Sequence, residues 1–291
     1  MKLISVGQLI DQTWEHYHVS WRELMSVTVW LLLPAVIAII ATAMYPNATT
    51  MLAARDFSVT ETSAVVTWFL NNALLAPIIG LWVFLMTVKM IYDQMAKRKI
   101  NFSSLAKDGW KLFFPTIFVN LLVCLVLIAS WLMIVPGLIF YLLGLLFNLS
   151  WLNGIGVAVL SAGIIAAFIL TVEWLVYFAY APLVLIIEGV HGKKALKRAK
   201  KLVQGKFWPV LIRMIIPKMV FVLILVAAEW VIGYLIGLTA ISITGLDNDL
   251  AAKLTTIAVT FFIALGAVAI NPLLIISDYL LFDNLRSIEK E

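Results

Sequence analysis

The sequence is short of charge. Only 13% of its 291 residues are Asp, Glu, Lys or Arg, about half the ~25% carried by a soluble globular domain. So few ionic groups cannot cover a water-soluble fold of this size. Cysteine is scarcer still. Cys124 stands alone, which excludes an intrachain disulfide and any Cys-x-x-Cys metal site, and its apolar surroundings read it as a small buried residue. There are three histidines. His16 and His18 are two apart, which turns them about 200° from each other on a helix, and with Glu15 they form no His-Glu-x-x-His. They read as interfacial, and His191 belongs to a basic loop. A Gly-x-Ser-x-Gly elbow and a phosphate-binding glycine loop are also missing. These absences point away from an enzyme and from a bound metal or cofactor. The N-terminus lacks the basic tip, short apolar run and small-residue cleavage site of a signal peptide. The first apolar run, beginning after Glu23, is therefore expected to be retained.

What is present is apolar. Hydrophobic residues make up 63% of the chain and the mean hydropathy is +1.04. A membrane span takes about 20 apolar residues at 1.5 Å each. Six runs meet that length: 25–45, 65–92, 113–134, 154–187, 217–238 and 254–282. The fold class expected is an all-α polytopic membrane bundle, a single integral membrane domain over 1–291. The region from Leu138 to Ile187 carries one charge, Glu173. One crossing fits it better than three, with 138–153 lying at the outer interface or dipping in and returning.

Orientation follows from lysine and arginine in the short loops. With the N-terminus inside, sixteen bases fall on the inner side, most of them in 97–111 and 193–206, against Arg55 and Lys253 outside. Both termini are expected to be cytoplasmic, as in a multi-pass protein of a bacterial inner membrane.

The order of inner segment, span out and span back recurs at roughly 95 residues, which suggests three repeats over 1–95, 96–190 and 191–291. The inner segments are amphipathic. In the first, Ser5 and Gln8 have capping-box spacing, and Leu9, Ile10, Thr13, Trp14 and Tyr17 share a face. In the second, Phe102, Leu105, Gly109, Leu112 and Phe113 do so. In the third, Ala195, Leu196, Ala199, Leu202 and Val203 oppose the lysines. Such helices are expected to lie in the cytoplasmic interface, apolar face down. Lys193, Lys194, Lys197, Arg198, Lys200, Lys201 and Lys206 then become candidate contacts for anionic lipid headgroups, each base near such a surface contributing about 1 kcal/mol. Nucleic acid is not expected as a partner, because the cluster abuts a span. Self-association or a membrane-protein partner remains open.

Ionisable groups inside a membrane are costly and therefore functional suspects. Glu173 and Glu229 are each followed by a tryptophan. Asn71, Asn72 and Pro77 interrupt the second span, and Asn271-Pro272 the sixth. Asn71, Asn72, Glu173 and Glu229 form a candidate intramembrane polar site, with the alternative that each is satisfied locally. Gly233 and Gly237 permit a close helix approach, expected mainly within the chain.

The run Ala181-Pro182-Leu183-Val184-Leu185-Ile186-Ile187-Glu188-Gly189 is followed by Ala195-Leu196-Lys197-Arg198-Ala199 and by Leu202-Val203-Gln204-Gly205-Lys206-Phe207-Trp208. Val135-Pro136-Gly137 and Leu280-Leu281-Phe282-Asp283-Asn284-Leu285-Arg286 complete the pattern. Together they resemble the glycerophosphodiester phosphodiesterase membrane-domain family and the related YciC-like bacterial inner-membrane proteins. The resemblance implies a six-helix bacterial membrane domain. Some members add a soluble phosphodiesterase barrel after the membrane part. This sequence has no room for one, so that activity is not expected. Ala199 departs from the serine expected there, and 137–182 is longer than usual. Three functions stay in view: a non-enzymatic envelope accessory or scaffold module, a transporter or channel for a small or amphipathic solute, and a membrane enzyme acting on lipids. The last would use Glu188, His191 and Asp283.

Overall fold

The computed structural model describes residues 3–44, 59–244 and 248–290. Lys2 and Arg55, two of the bases that orient the chain, lie outside the described residues. The fold is an all-α polytopic bundle. Six helical stretches are long and apolar enough to cross a membrane, and no strand occurs among the described residues.

Helix α1 (Val6–Thr28) starts at a capping box: Ser5 Oγ accepts the Gln8 N–H at 3.2 Å and Gln8 Oε1 accepts the Ser5 N–H at 3.2 Å. These bonds satisfy two donors that a helix start otherwise leaves open. A 3₁₀ turn at Val29–Leu31 leads into α2 (Leu32–Met44). The second crossing is α3 (Val59–Leu70), a π turn (Asn71–Leu75) and α4 (Ala76–Met95). Pro77 stands two residues beyond that turn; its ring has no N–H and crowds the preceding carbonyls, which the wider π turn accommodates. Next come α5 (Phe102–Ser130), a 3₁₀ turn (Trp131–Ile134), α6 (Val135–Leu146) and α7 (Ser150–Phe178). The basic helix α8 (Lys193–Val203) follows. Helices α9 (Phe207–Thr244) and α10 (Asn248–Lys290) carry Pro217 and Pro272 in their interiors.

The amphipathic segments do not all stand apart from the spans as expected. The first two run unbroken into α1 and α5, the second of them straight through Pro115, which lies inside α5 where surface segment meets apolar run. Only the third is a separate helix, ended by Gly205 at φ +80, a left-handed conformation that glycine adopts without penalty.

The chain packs as two compact units. The first comprises Met1–Leu3, Lys111–Ile212 and Phe282–Glu291, and the second Ile4–Trp110 and Arg213–Leu281.

In the first unit, α6 and α7 form a tight helical hairpin. The reversal at Phe147–Leu149 uses Asn148 at φ +53, and the Leu149 N–H closes it on the Gly144 carbonyl at 2.9 Å. Residues 138–153 are thus the closed end of this hairpin, helical on both sides of the reversal. Glycines set its spacing. A Cβ on Gly137 would lie 2.3 Å from the Leu160 nitrogen, on Gly144 2.2 Å from Asn153 Oδ1, and on Gly156 2.4 Å from the Tyr141 nitrogen. The facing residues step seven along α6 and seven back along α7, so one register runs the length of the hairpin. Ser130 Oγ and Thr171 Oγ1, 2.6 Å apart, tie the 3₁₀ break to α7.

In the second unit, Leu9, Leu24, Val27, Val83, Met86, Met90 and Ile91 form the core between α1 and α4. Trp30, Trp82 and Trp110 make a row with centroid spacings of 5.9 and 5.8 Å. The Gly233/Gly237 pair does not serve the close packing expected of it. Gly237 faces open space, and a Cβ on Gly233 would meet only Val259 at 3.7 Å.

Candidate functional site

In the first unit the lysine-rich helix α8 is bound to the chain by an ionic clasp. Its sequence alternates small or aliphatic residues with bases at helical spacing. Ala195, Leu196, Ala199, Leu202 and Val203 are buried, whereas Lys193, Lys194, Lys197, Lys200 and Lys201 are exposed. The apolar face is therefore used up against protein and is not turned down into lipid as the sequence suggests. The reason is the short link from the preceding span. Gly189 and Gly192 adopt φ of +68 and +59, which turns the chain back so that α8 packs on α7. Lys200 Nζ lies 5.4 Å from the Tyr177 ring centroid, a cation–π contact.

The clasp centres on Glu188, whose side chain is only 12% exposed. Arg198 grips it with both prongs of its guanidinium, Nε at 2.9 Å and Nη2 at 3.3 Å, the bidentate geometry suited to a carboxylate. Arg286 adds a second cation, its Nε 3.3 Å from Glu188 Oε1. Arg198 also donates through Nη1 to Glu289, and Lys201 Nζ lies 3.0 Å from that carboxylate. Two acids and three bases thus join the end of the fourth span, the basic helix and the end of α10.

Hydrogen bonding to Glu188 holds the Arg198 guanidinium above its ordinary value, partial burial opposing and Glu289 assisting. For Glu289, beyond the apolar run of α10, burial pushes the carboxyl up, but bonds from Lys201 and Arg198 outweigh it and leave it below the usual 4.5. Of the candidate headgroup contacts, Arg198 faces inward, with Nε, Nη1 and Nη2 each donating inside the clasp. Lys206 is half-buried at the foot of α9.

No family model, curated protein or solved structure matches the chain.

The intramembrane candidates fall in both units, Asn71, Asn72 and Glu229 in the second and Glu173 in the first. Asn71 and Asn72 are neighbours on the π turn but diverge. Asn71 is 3% exposed, donating from Nδ2 to the Pro34 carbonyl at 3.0 Å, and its Oδ1 is buried without a donor. Asn72 is exposed and spends its amide on the Trp68 carbonyl of its own helix at 2.8 Å. Glu229 is half-buried in the second unit, with Oε1 3.1 Å from where a Cβ would stand on Gly266. Glu173 is half-buried in the first unit. Of the three groups suited to lipid chemistry, Glu188 is held by two arginines while His191 and Asp283 are exposed. Among the described residues no group of three His, Cys, Asp or Glu is placed to hold a metal ion.

The ion pair Lys218–Asp278 in the second unit, Nζ to Oδ1 2.8 Å, was not legible as a pair. Each residue is a charge near the end of an apolar run, but no sequence spacing links positions sixty residues apart. Similarly, Glu289 lacked any signal beyond its place in a charged tail.

Proposed function

We propose that this multi-pass membrane protein is a non-enzymatic envelope module of the bacterial inner membrane, with cytoplasmic termini, which binds anionic lipid through the lysine face of α8. The observation that carries this reading is the division of labour on α8. Its apolar face and Arg198 are committed to the protein, so the exposed lysines 193, 194, 197, 200 and 201 form a rigid basic platform. Four of them have no acid partner among the described residues, and at about 1 kcal/mol per base near an anionic surface they supply roughly 4 kcal/mol. The attraction falls as salt rises. Membership of the family resembled in sequence is part of the proposal. It is supported by the way three of the quoted segments contribute Glu188, Arg198 and Arg286 to one clasp.

The test is lipid retention. Full-length protein purified in mild detergent is titrated with phosphatidylglycerol or phosphatidylcholine and its melting temperature followed. Phosphatidylglycerol should raise the melting temperature in a salt-sensitive way, and K193Q/K194Q/K197Q/K200Q should abolish that rise while leaving the lipid-free melting temperature in place. An equal response of wild type and variant defeats the proposal. The solute-transporter reading has one observation in its favour, the buried Oδ1 of Asn71 without a donor. It predicts transport that N71A alters and N72A does not.

A further inference from the structure

The second unit holds an ion pair that the lysine platform leaves unexplained. Lys218 on α9 and Asp278 on α10 sit 2.8 Å apart, with side chains 34% and 29% exposed. Both side chains are therefore partly exposed. Lys218 is also the one charged residue lining a groove of about 320 Å³, whose other walls are Met214, Ile215, Met219, Val222 and Leu223. Lys218 lies five residues, about 7 Å along a helix, from Arg213. Asp278 lies the same distance from Asp283. The pair is thus within a side chain's reach of the level at which each helix first becomes charged, where long cationic side chains snorkel to headgroups.

An apolar occupant alone would strip water from both ions and replace it with nothing, which is costly inside a membrane. A headgroup of net negative charge finds Lys218 but meets repulsion from Asp278. A headgroup carrying one phosphate and one primary ammonium satisfies both. Its phosphate oxygens accept hydrogen bonds from the Lys218 ammonium, and its own ammonium donates to the Asp278 carboxylate. We propose that Lys218, Asp278 and this groove form a lateral site for a zwitterionic aminophospholipid, one acyl chain lying along Met219, Val222 and Leu223. A quaternary ammonium lacks the N–H groups that Asp278 requires, so a choline headgroup is the weaker ligand. The site is separate from the anionic-lipid platform, on other residues and with the opposite headgroup preference.

Native mass spectrometry of the full-length protein in detergent, with phosphatidylethanolamine, phosphatidylglycerol and phosphatidylcholine added in equal amounts, reads the preference directly. To keep the lysine platform from contributing, the measurement uses K193Q/K194Q/K197Q/K200Q as background. Phosphatidylethanolamine should be bound over each of the others by about fivefold or more, the ratio expected when a single charge-assisted hydrogen bond separates one headgroup from another. D278N in that background should reverse the preference toward phosphatidylglycerol, and K218Q should lower binding of both. Equal binding of the three lipids by the background protein overturns the proposal, whether or not the two variants fold. So does a D278N protein, folded by its helicity, whose ratio is unchanged.

Discussion

Replacing Gly156 by alanine is the sharpest test of the α6–α7 hairpin. The added methyl would stand 2.4 Å from the Tyr141 nitrogen and 2.6 Å from its Cα. Ordinary carbon contacts lie near 3.5–4.0 Å, so the two helices must separate by about 1 Å. The obstacle is backbone, not a side chain that can swing aside, and overpacking of this kind costs typically 1–3 kcal/mol. Opposing it is the gain in helix propensity from glycine to alanine, about 1 kcal/mol. Gly154 supplies the internal control. It lies two residues away on the same helix with nothing within 4 Å of its Cβ position, so G154A collects the propensity gain without the clash. The two variants should differ by roughly 1–3 kcal/mol, G156A being the weaker. Thermal unfolding in detergent, followed by helical circular dichroism and by monodispersity after heating, reads the order. If G156A and G154A melt together, the glycine register described for the hairpin is wrong.

The clasp and the π turn yield further outcomes. E188Q leaves Arg198 and Arg286 without their shared carboxylate in a half-buried setting and should cost about 1–3 kcal/mol, between the figures for exposed and buried pairs; hydrogen exchange should rise over 193–203 before it rises in α7. Glu289 is held below its ordinary value of 4.5, so its contribution is complete above 4.5 and is lost as pH falls through the lower folded value. E289Q should therefore lower the melting temperature relative to wild type at pH 7, with the difference shrinking as pH is taken progressively below 4.5. N71A removes a buried bond to the Pro34 carbonyl and leaves space in the core, costing about 1–2 kcal/mol, whereas N72A, whose amide bonds only within its helix, should be neutral; chemical unfolding of the two proteins makes the comparison.

The six crossings were legible because bilayer thickness imposes a length that hydropathy alone reports. The Ser5–Gln8 capping box was legible because both partners lie within one turn. What could not be read were contacts fixed by the pairing of distant segments. Gly137, Gly144 and Gly156 are ordinary glycines until α6 and α7 are set side by side. Gly233 and Gly237 have the spacing that favours close approach, yet among the described residues only Val259 comes near Gly233 and nothing comes near Gly237, since spacing shows what a face permits and not what is brought to it. The same holds for the clasp. Glu188 and Arg198 stood ten residues apart in plain view, but only the left-handed Gly189 and Gly192 fold the loop so that carboxylate and guanidinium meet.

The clasp also changes what the lysines of α8 can do. An amphipathic helix that binds a membrane by its apolar face must leave that face free, and its affinity then follows buried apolar area. Here Ala195, Ala199 and Val203 are fully buried in protein and Leu202 is nearly so, so α8 has little apolar area to offer a bilayer. Any membrane attraction must come from charge, acting over about a Debye length. This separates two mechanisms by salt. Insertion of an apolar face survives about 0.5 M salt, while a charge platform loses most of its hold. Lipid-dependent stabilisation that persists undiminished at that salt would mean the clasp opens and α8 turns over. In that case E188Q, which frees the helix, should bind anionic lipid more tightly than wild type.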